Sequence, residues 1–168
     1  MKRFISIGLI VAGILLVAGA VARSYFGNLT KQPGEVPLPD SIAGLQITNT
    51  ATGDQAVADF ENLHSKQFPI TSGAIGVYGN NEITLWAAGA PSEAIALEMT
   101  NAMQEKIAKG NSPFTPLERF NRGNRIIYVL EGMGQKHYYF QSKNLVIWLA
   151  VSPALADQAI QQILEVYP

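Results

Sequence analysis

The chain contains no cysteine. That excludes a disulfide framework, a thiolate metal site, a cysteine nucleophile and an acylated lipoprotein cysteine. Histidine is scarce as well: His64 and His137 are the only two, too few to build a site of several imidazole ligands within one chain. Charge of one sign is also missing. A net charge of -1 at pH 7 gives no basic surface for a phosphate backbone, so nucleic acid is not an expected partner. The chain has no P-loop, G-x-G-x-x-G, G-x-S-x-G or H-E-x-x-H motif and no calcium loop. No cofactor or metal is therefore expected, and an enzyme would have to use an unmarked site.

What the sequence does contain begins at its N-terminus. Met1-Lys2-Arg3 precedes Phe4 to Ala22, nineteen residues without a charge and with only Ser6 as a polar interruption, closed by Arg23. As a helix this run spans about 28 Å, close to the hydrocarbon thickness of a bilayer. Residues 1–25 are thus expected to form a single transmembrane signal-anchor that meets lipid through residues 4–22. Two positive charges before the run and one just after it favour a cytoplasmic N-terminus, which places the rest of the chain outside the cytoplasm. The alternative is a cleaved signal peptide, for which Ala20-Val21-Ala22 fits the small-residue cleavage pattern; the protein would then be secreted.

Residues 26–40 include "NLTKQPGEVPLPD", with three prolines, one glycine and no apolar periodicity; this reads as an extended linker. Residues 41–168 have the length of one domain. Their pattern predicts a strand at Leu45 to Thr48, then a helix at Asp54 to Ser65 with Val57, Phe60, Leu63 and His64 on one stripe. A hairpin follows, Ala74 to Tyr78 and Glu82 to Ala88, turning at Gly79-Asn80-Asn81. A helix from Ser92 to Lys109 carries Ile95, Met99, Ala102, Met103 and Ile107 as its buried stripe. Four strands come next, Leu117 to Phe120, Arg125 to Glu131, Lys136 to Gln141 and Leu145 to Val151; the last is apolar on both faces and so belongs at the centre of the sheet. The closing helix, Pro153 to Val166, aligns Ala156, Ala159, Ile160, Ile163 and Leu164.

"ITLWAAGAP" at residues 83 to 91 and "LVIWLAVSP" at residues 145 to 153 repeat at an offset of 62, pairing Trp86 with Trp148 and Pro91 with Pro153. Within the helices the stripes agree better at an offset of 61, Met99 with Ile160 and Met103 with Leu164. Duplication and convergence both explain such a repeat, since hairpins and helix starts demand similar residues. The expected fold is α+β: one pseudo-repeated domain of antiparallel or mixed sheet with its helices packed on one face.

Candidate site residues are few. Trp86 and Trp148 are either core or a ligand-stacking pair. In "GMGQKHYYF", Lys136, His137, Tyr138 and Tyr139 offer hydrogen bonds and an aromatic wall for a polar ligand, but strand alternation places His137 and Tyr139 on one face, with Lys136 and Tyr138 on the other; the plainer reading is a half-exposed strand at a sheet edge. Arg119, Arg122 and Arg125 surround one turn and form a candidate anion or partner patch, or else a solvated hairpin end. His64 reads as a core-edge histidine. The expected function is a membrane-anchored extracytoplasmic accessory or scaffold protein that binds an envelope protein. The alternatives are a small-ligand or lipid-binding domain, with a cavity lined by Met99, Met103, Trp86 and Trp148, and an enzyme with an unmarked site near His137.

Overall fold

The computed structural model describes residues 36–63, 68–110 and 112–168. The expected membrane segment, the linker up to residue 35 and His64 lie outside these residues. Among the described residues no helix is long and apolar enough to cross a membrane.

Alternating apolar residues punctuated by glycine and asparagine give, in order, β1 (Ser41–Ile42), β2 (Leu45–Thr52), α1 (Gly53–Leu63), β3 (Ser72–Tyr78), β4 (Ile83–Gly89), α2 (Glu93–Ala108), β5 (Thr115–Arg122), β6 (Arg125–Gly132), β7 (Gln135–Ser142), β8 (Leu145–Val151) and α3 (Ala156–Val166). The strands form one eight-stranded sheet in the order β1-β2-β3-β4-β8-β7-β6-β5. Every neighbouring pair is antiparallel, so the sheet is not mixed. β5 to β8 form a meander joined by two-residue turns, and the left-handed backbone these need is taken at Gly123, at Met133-Gly134 and at Lys143. β8 lies between β4 and β7, as its two apolar faces require. β2 runs on past Thr48 to Thr52, because β-branched Thr48, Thr50 and Thr52 hold the extended backbone despite their polarity.

The helices do not share a face. α1 and α2 cover one side, where Ala56, Phe60, Ala96 and Met99 pack with Ile75, Trp86, Ala88 and Val146. α3 covers the other, where Ala159, Ile160, Ile163 and Leu164 meet Leu85, Ala87, Ile147, Leu149 and Phe140. This corrects the expected one-face arrangement. A central strand apolar on both faces exposes two apolar surfaces, and both must be covered. The helix starts also differ: Ser92 caps α2 directly, its Oγ accepting from Ile95 N at 3.3 Å, whereas a 3-10 turn, Pro153–Leu155, precedes α3.

α1 lies close on β3 because Gly73 has no side chain; a Cβ there would stand 2.5 Å from the Phe60 ring. Ala56 and Phe60 are the buried residues of this helix, and Leu63, expected in its stripe, is exposed. The end of the proline-rich stretch packs on the α3 face. Val36 is buried there, Tyr78 Oη donates to Pro39 O at 2.9 Å, and Tyr167 Oη donates to Pro37 O. Burial raises the pKa of both phenols, that of Tyr167 to about 12.

Candidate functional site

The repeat equates Leu85 with Ile147 and Ala87 with Leu149, while the β4–β8 register pairs Leu85 with Leu149 and Ala87 with Ile147. An axis exchanging the two strands therefore passes between Trp86 and Trp148, which are direct register partners. Register partners share a face. Followed outward, the same transverse row reads Ile75, Trp86, Trp148, Tyr139, Tyr128 and Arg119. Its rings stack: Tyr139 lies 5.4 Å from Trp148 at 13°, and Tyr128 lies 4.6 Å from Tyr139 at 8°. Aromatic side chains at successive register positions form a ladder across the sheet under α2.

His137 joins this row from the adjacent position of β7. Its Nδ1 accepts from Trp148 Nε1 at 3.1 Å, and its Nε2 lies 3.0 Å from Gly132 O. A nitrogen accepting from an indole N–H carries no proton, so Nε2 carries it and donates to the carbonyl. The ring is 4% exposed. Burial lowers its pKa, outweighing the opposite pull of the Gly132 carbonyl. Phe114 closes the cluster edge-on, 4.7 Å from His137 and 5.0 Å from Trp148. It fits there because residue 132 is glycine; a Cβ would meet the Phe114 ring at 2.7 Å. Both ring nitrogens are thus engaged within the chain, which leaves none for proton transfer to a substrate. β7 is interior to the sheet and largely buried, so the half-exposed edge expected for its tyrosines is corrected.

Trp86, Trp148, His137 and Tyr139 thus share one face. Of the residues expected to line a cavity, Met99 is buried, while Met103, Trp86 and Trp148 are partly buried, Met103 packing against the clusters around both tryptophans. A groove of about 240 Å³ lies further out, between the end of α2 and β5–β6. Gln104, Ile107, Leu117 and Arg119 line it with Tyr128 and Tyr139. Nothing in the sequence marks Leu117, Tyr128 or Gln104, because the groove depends on where α2 stops over the sheet.

The three arginines separate. Arg122 and Arg125 are register partners, and Arg119 lies on the opposite face with Tyr128. Arg125 is committed to the end of α3, donating through Nη1 to Tyr167 O and through Nη2 to Leu164 O at 3.3 Å, with its guanidinium 5.6 Å from the Phe140 ring centre. A cation at a helix C-terminus satisfies its last carbonyls. That leaves Arg119 and Arg122 exposed on an edge strand whose residues are all exposed except partly buried Phe120. Among the described residues no group of acidic and histidine side chains could hold a metal ion. Comparison with protein-family models, with curated proteins and with solved structures finds no match for this chain.

Proposed function

We propose that this protein is a membrane-anchored, extracytoplasmic accessory or scaffold module that works by binding protein, and that β5 is its docking edge. The address comes from the apolar run Phe4 to Ala22. The observation that carries the binding reading is β5 itself: eight residues at the end of the sheet, with no strand beyond it among the described residues. Such an edge offers unpaired N–H and C=O groups to an added strand. Leu117, 48% exposed, stands beside the groove and adds an apolar contact.

A photo-crosslinking residue at Leu117 of the full chain, in intact membranes, is expected to give one defined protein adduct. The same residue at Glu105, on the exposed side of α2, should give none. Indistinguishable smears from both positions, or no adduct at Leu117, would sink the reading. The groove supports a second reading, a small apolar ligand lying over Tyr128 and Tyr139. It predicts that a panel of lipids and aromatic metabolites raises the melting temperature of the full chain, and an unchanged melt counts against it.

A further inference from the structure

β5 carries a charge pattern complementary to itself. Its pairing with β6 is regular from Glu118 to Arg122: the register slips between Pro116 and Glu118, and the chain turns at Gly123, where φ is 63°. Phe120 is the midpoint of that stretch. Glu118, Phe120 and Arg122 share the α3 face with Val129, Ile127 and Arg125, while Arg119 and Asn121 point to the α2 face.

Consider a second copy laid antiparallel along this edge by a two-fold axis normal to the sheet. Residues opposed across the new pair must lie on one face, so the axis must pass through a residue position, since a one-residue slip inverts every side chain. An axis at Glu118, Arg119 or Arg122 opposes like charges, and one at Asn121 runs into the turn. An axis at Phe120 sets Glu118 against the partner's Arg122, Arg122 against the partner's Glu118, Phe120 against the partner's Phe120, and Arg119 against the partner's Asn121. Opposite charges and paired aromatics at facing positions favour strand association, and no like charges are opposed.

Among the described residues these groups are unmatched. Arg122 faces Arg125 across β5–β6, and Arg125 is already occupied by the α3 carbonyls. Among the described residues the ion pair is Lys109 with Glu105, and neither Glu118 nor Arg122 takes part in one. We propose that β5 pairs with β5 of a second copy, antiparallel about Phe120, joining two eight-stranded sheets into one. This rests on the reading of β5 as a protein-docking edge and names the protein. An edge this short makes a small interface, so the dimer should be weak in dilute solution.

The absence of cysteine makes the register directly testable in the full chain, in membranes or micelles. Arg119→Cys and Asn121→Cys proteins, mixed and oxidised, are expected to cross-link about ten-fold more than either alone, because the register opposes 119 to 121 and separates like positions beyond disulfide reach. Glu118→Arg or Arg122→Glu alone should raise the dimer dissociation constant about ten-fold, and the double exchange should restore it. Equal cross-linking in all mixtures, or no rescue by the double exchange, overturns the self-pairing. If cysteine cross-links fail while Leu117 photo-crosslinks another protein, self-pairing falls and protein docking stands. If both fail, both readings fall.

Discussion

β4 and β8 read alike at an offset of 62 that slips to 61 in the helices after them, and the two strands meet at the two tryptophans. Everything around those strands differs. Trp86 lies among Ala56, Phe60, Ala88 and Met99 under α1 and α2; Trp148 lies among Tyr139, His137 and Phe114. On the first side β1 pairs with Leu45 and Gln46 of the outer strand and α1 lies beside it, whereas on the second no strand lies beyond β5 among the described residues. The shared residues build the hairpins and the seam between them. The unshared residues make the two edges differ: β1 covers the start of β2 at Leu45 and Gln46, while β5 has no strand beyond it among the described residues.

The largest effect that sharpens this contrast is expected at the seam. Trp148→Ala should destabilise the domain by about 3 kcal/mol and Trp86→Ala by about 2 kcal/mol, at or below the range for a fully buried aromatic because both indoles are partly exposed. The excess at Trp148 reflects the unpartnered His137 nitrogen that the substitution leaves buried. Urea unfolding of the two variants side by side measures it, and equal losses would mean that the indole bond adds nothing.

Much of this division was readable beforehand, and the failures have physical causes. Hairpin turns at Gly79-Asn80-Asn81 and Gly123-Asn124 announce themselves because few residues take left-handed backbone. The two apolar faces of β8 gave its central position, and the same fact implied helices on both faces. The periodicity of α3 shows which side of the helix is buried but not which side of the sheet it buries against. Tyr128 and Tyr139 read as separate tyrosines, since a transverse row exists only once four strands are in register. The arginines read as one patch because sequence proximity hides alternation across an edge strand.

Smaller perturbations test each half separately. Gly73→Ala should cost about 2 to 3 kcal/mol, because the new Cβ forces the Phe60 ring and with it α1 away from β3. Hydrogen exchange should show α1 losing protection while β7 and β8 keep theirs. Arg125→Ala should cost about 1 to 2 kcal/mol by freeing the terminal carbonyls of α3, and Arg122→Ala less than about 0.5 kcal/mol, read from thermal melts. Similar losses at both arginines would restore the single patch that the alternation divides.

The smallest expected effect is one of pH, and it belongs to the second half. His137 is held neutral by burial, with an indole N–H aimed at the nitrogen that a second proton would occupy. Its pKa is therefore lower in the folded chain than the ordinary value of about 6.5 that it regains on unfolding. Between those values the unfolded chain binds more protons, so stability falls as pH drops below about 6.5 and is fully present above it. Trp148→Phe keeps a ring in the stack and removes the opposing N–H, which makes protonation of His137 less costly. Urea midpoints at about pH 7.5 and about pH 5.5, above the ordinary carboxylate range, should therefore differ more for the natural chain than for Trp148→Phe. If the two differences are the same, burial alone keeps the ring neutral and Trp148 contributes to it only as a packed ring.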